Sequence, residues 1–269
     1  MPNSSRTFLA DNTDWLVPQW PAPANVHALC TTRMGGQSVA PYQSLNLGDH
    51  VGDHPLDVVA NRAVLQRAID ARPVFLSQAH GTHAVWLSDT TPHGTQADGC
   101  ITEKSRVACT IMMADCLPVM LTNAQGSLVA AAHAGWRGLA GVGGKGILES
   151  VLDFFSAPVN VDTTLYAPEI IAWLGPCIGP QAFEVGNEVR DVFVTHDPVA
   201  KAMFTSAGGN KWLADLQGLA RLRLGALGVN EIYGNDGSRA WCTVSNPSRF
   251  FSHRRDRVSG RLAACIWRD

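Results

Sequence analysis

Short apolar stretches rich in β-branched and aromatic residues recur along the chain, separated by clusters of Gly, Pro, Asn and Asp. Runs at 26–31 (VHALCT), 73–77 (PVFLS), 84–87 (AVWL) and 107–113 (VACTIMM) predict strands, joined by further candidates at 118–122, 127–132, 170–174, 229–233 and 261–267. Helical spacing is clearest at 55–70, where Pro55 suits a first turn and Val58, Val59, Ala63, Leu65, Ala68 and Ile69 supply an apolar stripe. Similar patterns predict helices at about 145–155, 184–195 and 211–227. Asn123-Ala-Gln-Gly126 stands between two strand candidates as a hairpin signal, so part of the sheet is antiparallel and a purely parallel doubly wound fold is disfavoured. Mixed strands with interspersed helices predict an α+β fold, with mixed β-sheets as a central core and helices packed outside. No repeat, low-complexity tract or linker divides the 269 residues, which predicts a single domain, 1–269.

Composition narrows the function classes. Hydrophobic residues make up 46% and charged residues 16%, enough apolar material for a sizeable core and too little charge for a disordered chain. The formal net charge of -2 leaves no strongly basic excess, so nucleic acid is not an expected partner. No stretch approaches the ~18 apolar residues that span a bilayer, so no membrane partner is expected either. The start, Met-Pro-Asn-Ser-Ser-Arg, lacks the apolar core of a signal peptide, and the expected location is the cytoplasm. Seven cysteines, scattered and never in a CxxC, fit small buried hydrophobes in a reducing compartment better than a disulfide framework. Of the 21 basic residues 17 are arginine, the side chain that grips phosphate and carboxylate in a planar fork.

Three segments share one grammar, in which an apolar strand runs into a loop presenting a ligand or nucleophile: Ser77-Gln-Ala-His80-Gly81, Met113-Ala-Asp-Cys116-Leu-Pro and Ala132-His133-Ala-Gly-Trp-Arg137-Gly. Glycine or proline close after each polar residue ends the strand and lets a substrate or metal approach the backbone. His80, Cys116 and His133, separated by 36 and 17 residues, are the types that bind zinc at about 2.0 to 2.3 Å with a fourth position open. Taken singly, each has a plainer reading as a hydrogen-bonded histidine or a packed thiol, and the long spacing does not prove convergence. Asp115 is read as orienting its loop or a histidine, and the remaining histidines as structural or solvated. Gly141-Val-Gly143-Gly-Lys-Gly146 matches a dinucleotide fingerprint in letters only, because the HAGWRG loop separates it from its strand; its glycine-rich helix entry can still offer N–H groups to an anion. Thr31-Thr-Arg33-Met-Gly-Gly36 and Phe250-Phe-Ser-His-Arg254-Arg255-Asp256 have the residue types for holding phosphate, although an Arg-Asp network or cation-π packing accounts for the second segment as well.

These segments resemble the YfiH-like family, also called laccase-domain or polyphenol-oxidase-like purine nucleoside phosphorylases. The resemblance is carried by TTRMGGQSVAPYQSLNLGDHVGD (31–53), SQAHG (77–81), ADGCIT (97–102), ADCLPV (114–119), HAGWRGLAGVG (133–143), LGPCIG (174–179), FEVG (183–186) and CTVSNPSRFFSHRRDRVSGRLA (242–263). It implies a mixed β core sandwiched by helices and a site of His80, Cys116 and His133 that holds zinc, with copper the lesser candidate. It implies phosphorolysis of purine nucleosides with adenosine deamination alongside, zinc activating a water for the second reaction. Departures are small: Ala79 stands where valine is more usual, and His253 where an aromatic is often found, on what is expected to be the pocket wall. Substrate contacts are expected from Arg33 and Asn46 for phosphate or ribose, and from Gly81, Arg137 and Arg254. The zinc cytidine-deaminase signature is absent, so no carboxylate is assigned as general acid or base. The expected partners are a nucleoside and phosphate, and the expected state a monomer or small homo-oligomer.

Two other enzyme classes compete. A laccase needs several copper centres, yet the chain has nine histidines and no H-x-H pair; His2Cys does resemble a single blue-copper set, with Met112, Met113 or Met120 as axial neighbour. A metal-free cysteine hydrolase acting on a small molecule or cell-wall precursor would use Cys116 as thiolate and His133 or His80 as base. A non-enzymatic binding module fits the many polar loops least.

Overall fold

A computed structural model describes residues 14–156 and 169–269; the N-terminal hexapeptide read above for a leader lies outside them. In chain order the elements are β1 (Val26–Cys30), α1 (Pro55–Ile69), β2 (Arg72–Phe75), β3 (Ala84–Trp86), β4 (Gly99–Thr102), β5 (Val107–Met113), β6 (Leu117–Asn123), β7 (Val129–Ala134), α2 (Trp136–Ala140) and α3 (Ile147–Ser156). They continue with β8 (Ile170–Leu174), β9 (Glu184–Gly186), α4 (Asn187–His196), β10 (Phe204–Gly208), β11 (Lys211–Ala214), α5 (Leu216–Ala226), β12 (Glu231–Gly234), α6 (His253–Asp256) and β13 (Leu262–Arg268). This is the mixed α+β architecture that the periodicities predict.

Two sheets lie face to face. One has the order β1-β13-β5-β2, the other β12-β8-β6-β7-β4-β3, and both mix parallel and antiparallel pairs. Alternate residues of one strand go to opposite layers. In β5, Cys109, Ile111 and Met113 meet Met120, Val129 and Ala131 of the facing sheet, while Ala108 and Met112 turn outward to Leu65 and Ile69 of α1. The outer face of the six-stranded sheet, with Val119, Leu121, Ala130 and Ala132, is covered by Leu148 and Val151 of α3, Val189 of α4 and Leu219 of α5. The order α1, sheet, sheet, helices explains why VACTIMM and LPVML read as unbroken apolar runs: both of their faces are buried.

The hairpin forms as expected, with the Gly126 N–H donating to the Asn123 carbonyl at 2.9 Å and Gly126 at φ 64°. The side-chain oxygen of Asn123 closes it further by accepting from the N–H groups of Ser127 and Leu128. Two helix expectations need correction: 184–195 opens with strand β9, and 211–227 opens with β11. These segments pair with each other and with β10 in a small third sheet, so their extended starts are fixed by partners distant in sequence. Strand β4, not predicted, is fully buried beside β7. Among the described residues no helix is long and apolar enough to cross a membrane.

Candidate active site

Strand register brings the three ligand candidates together. Pairing of β6 with β7 sets Pro118 opposite His133, which leaves Cys116 facing Gly135 just beyond the strand ends. A side chain at Gly135 would put its Cβ 2.8 Å from the Cys116 sulfur, and one at Gly138 would come 2.7 Å from the Gly81 carbonyl. The two glycines of HAGWRG therefore let the turn into α2 close on the thiol and on the His80-Gly81 loop. His80, Cys116 and His133 each present a ligand atom within 4.8 Å of the other two, and the two imidazole rings stand edge to face. Tetrahedral zinc with bonds of about 2.0 to 2.3 Å asks for ligand separations of roughly 3.6 Å, so a small closure of side chains suits the set to the ion and leaves a position for substrate.

Asp98, quoted in the ADGCIT motif but given no role from sequence, organises this centre. Its buried carboxylate accepts from the N–H groups of Ala79 (3.1 Å), His80 (2.8 Å) and Gly81 (2.7 Å) and lies 2.9 Å from Nδ1 of His133. The three N–H bonds hold His80 at φ 60°, a conformation unusual for a residue with a side chain. With Nδ1–H directed at Asp98, His133 offers its Nε2 lone pair to a metal, the carboxylate–histidine pairing common behind metal ligands. Burial pushes the Asp98 carboxyl up, and His133 with the N–H groups of Gly81 and Ala79 outweighs it and holds the group below its ordinary value. Burial likewise pushes the Cys116 thiol up, but the imidazoles of His133 and His80 bring it down to about 6. His133, lowered by burial, is raised to about 9 by the Cys116 sulfur and by Asp98. The metal-free chain thus carries a thiolate beside an imidazolium, and the sulfur is ready as ligand or nucleophile. Asp115, expected to orient its loop or a histidine, does the first: it accepts from the Thr243 hydroxyl and from the N–H of Arg254, both at 2.6 Å.

Above this centre opens a cavity of about 430 Å³. Met112, Trp136, Ile178, Phe183 and Leu216 give it apolar walls, and Arg137, Arg254, Arg257 and Arg261 line it with His50 and His253. His253 stands on the wall, as expected. Arg137 lies over Trp136 at 4.4 Å from the ring centre, and Arg254 donates to the Glu184 carbonyl. Arg33 and Asn46 are placed elsewhere. The Arg33 guanidinium donates to the carbonyls of Gln43 (3.0 Å) and Pro247 (2.8 Å) and covers the Phe251 ring. Buried Asn46 bonds Gly48, Asp53 and the N–H of Arg261, so it braces the loop that carries a cavity arginine. Gly81 contributes backbone behind His80 without lining the cavity. Sequence reasoning missed Arg257, Arg261 and His50 as wall residues; the first two lie in the quoted 242–263 segment. Of the methionines weighed as copper neighbours, Met112 and Met113 line the cavity and Met120 lies in the core between the sheets. At the glycine-rich entry to α3, the Gly146 N–H donates to the chain's own Glu149.

Comparison with known proteins agrees with this architecture. The chain is 46% identical over 254 residues to a purine nucleoside phosphorylase of Pseudomonas aeruginosa, covering 94% of this chain and 98% of the relative. It is 45% identical over 255 residues to the purine nucleoside phosphorylase YfiH of Escherichia coli, covering 94% and 98%. Among solved structures it resembles NMB0706 of Neisseria meningitidis with a TM-score of 0.83 and 44% identity, covering 95% of this chain and 99% of that one. YlmD of Geobacillus stearothermophilus gives a TM-score of 0.84 at 33% identity, covering 95% and 96%. The model of one family matches residues 27–269, which hold nearly all of the layered core and its His-Cys-His corner, and the chain belongs to that family, described as multi-copper polyphenol oxidoreductase laccase.

Proposed function

We propose that this protein cleaves purine nucleosides with phosphate, releasing the base and ribose 1-phosphate. The observation that carries the reading is one cavity joining a metal-ligand corner, apolar walls that suit a purine face, and four guanidinium groups with Asp115, among the described residues, as the one carboxylate on the wall, its two oxygens already engaged. In the reaction a phosphate oxygen forms a bond to C1′ of the ribose while the C1′–N9 bond breaks, and its electron pair leaves with the purine, which takes up a proton. Charge on the phosphate needs the arginines, and Arg137 and Arg254 orient it from the wall. With no free carboxylate on the wall among the described residues, the proton for the purine comes from an imidazole outside the ligand set, of which His50 and His253 line the cavity. His80, Cys116 and His133 would hold zinc, which supplies an electrophilic centre there. Adenosine deamination belongs to the same corner in this reading and needs no phosphate.

The relatives' names support phosphorolysis over phenol oxidation. So does the ligand set: among the described residues His80, Cys116 and His133 form the one group of three or more metal-ligating side chains, a single centre. The test is to incubate metal-analysed protein with inosine, adenosine, guanosine and methylthioadenosine, with and without phosphate, and identify products by chromatography. Hypoxanthine with ribose 1-phosphate is expected from inosine only when phosphate is present, and adenosine is expected to yield inosine in phosphate-free buffer until a chelator is added. Equal base release without phosphate would overturn the reading in favour of hydrolysis.

A further inference from the structure

We infer that Arg257 is the residue that captures the phosphate of the proposed phosphorolysis, an assignment that rests on that reading and goes beyond it. Four arginines line the cavity, but they are not equivalent. Arg254 spends a donor on the Glu184 carbonyl and lies over Phe183. Arg261 donates to the carbonyls of Ser259 and Gly260, and Arg137 is stacked on Trp136. Arg257 alone of the four makes no side-chain hydrogen bond, ion pair or ring contact among the described residues, and it stands exposed at the mouth. Its neighbour Asp256 is unavailable to it, because Arg255 grips both of that carboxylate's oxygens, at 2.8 and 2.6 Å.

The backbone makes the second argument. Arg257 has φ 61° and ψ −58°, and the Val258 N–H donates to the Asp256 carbonyl across it at 2.7 Å. This is a γ-turn of the rare, strained kind, in a conformation that glycine adopts without penalty. The surroundings enforce it from both sides. Before the turn, Ser252 caps α6 through the Arg255 N–H, and Arg255 also ties down the carbonyls of Thr243, Val244 and Phe250. After it, Ser259 and Gly260 are buried, and the Arg261 N–H is anchored on the side-chain oxygen of Asn46. A strained residue over-determined by its neighbours is a mark of sites where position serves function. Here the braced turn holds a full set of guanidinium donors, without a partner among the described residues, at the mouth of a cavity that needs a dianion.

The test compares Arg257→Gly and Arg257→Ala with the parent protein, measuring KM for phosphate and for inosine, kcat and melting temperature. The phosphate KM is expected to rise about tenfold to a hundredfold in both variants, the size of a lost charge-assisted contact, with the inosine KM little changed. Because glycine also releases the turn, Arg257→Gly should melt no lower than Arg257→Ala. An unchanged phosphate KM in Arg257→Gly overturns the assignment, as does a parallel rise of both KM values with a lowered melting temperature. If base release by the parent protein ignores phosphate, the phosphorolysis reading itself fails. Calorimetric titration of inorganic phosphate then decides the subsite alone: binding lost in Arg257→Gly upholds it, and equal affinity ends it.

Discussion

Behind the ligand corner that floors the cavity the Asp98 carboxylate accepts from three backbone N–H groups and pairs with His133, whereas at the exposed mouth the Arg257 side chain meets no partner among the described residues. The floor stands on the ends of β6 and β7 and on a loop pinned beside β4, where strand register sets each position. The mouth stands on the loop that leads through α6 to β13. Rigid elements with saturated hydrogen bonding suit groups that must meet within a fraction of an ångström, as metal ligands must. Unsatisfied donors on a braced loop suit an anion that arrives from water and brings the missing acceptors with it. Substitutions at the floor should therefore change metal content and chemistry, and those at the mouth substrate affinity.

The sharpest division between the two regions is Cys116→Ala, which should lose bound metal and bring turnover to the detection limit. Melting of the metal-free forms should differ by no more than about 2–4 °C, because a half-buried loop thiol carries little packing. Metal analysis and assay of one preparation check this, and full zinc retention with full activity would dissolve the floor as described. The thiol can also be followed directly. In chelated protein, alkylation of Cys116 should rise as pH climbs through about 6, since below that value the sulfur is a protonated, unreactive thiol. Cys265, pushed to about 12 by burial, should stay unmodified at neutral pH. Peptide mass spectrometry reads both, and a Cys116 midpoint near the ordinary thiol value of about 8.5 would remove the imidazole pairing.

Smaller effects test the supports. Asp98→Asn replaces one accepting oxygen by an NH2 group facing donors, and metal affinity should fall about tenfold to a hundredfold in competition with a chromophoric chelator. Unchanged affinity would mean that His133 needs no partner at Nδ1. Arg33→Lys should cost stability of about 1 kcal/mol through its lost bonds to the Gln43 and Pro247 carbonyls. It should leave the phosphate KM as it was; a raised KM with an unchanged melting temperature would return Arg33 to the site.

The comparison between Arg33 and Arg257 also measures how far the chain could be read without its fold. Both sit in polar loops within quoted motifs, and nothing local separates them. Arg33 is consumed by a carbonyl 214 residues away, Pro247, and Arg257 by no side-chain partner among the described residues. The same limit hid β9 and β11. Each is three or four residues long, their helical neighbours α4 and α5 dominate the local pattern, and each becomes a strand only through pairing with a distant segment.

Helix α1, the β6–β7 hairpin and the doubly buried runs of β5 and β6 were legible from sequence because their signals are local: spacing of apolar residues, a proline in a first turn, an Asn-to-Gly turn. The ligand types at His80, Cys116 and His133 were legible for a related reason, since a polar residue at the end of an apolar strand stands out against its own neighbours. Their convergence, the role of Asp98 behind His133 and the choice among the arginines were decided only by tertiary structure. A hydrogen-bond donor carries no record of its acceptor in the adjoining sequence, and at this site the acceptors are supplied across strand register and by loops remote along the chain.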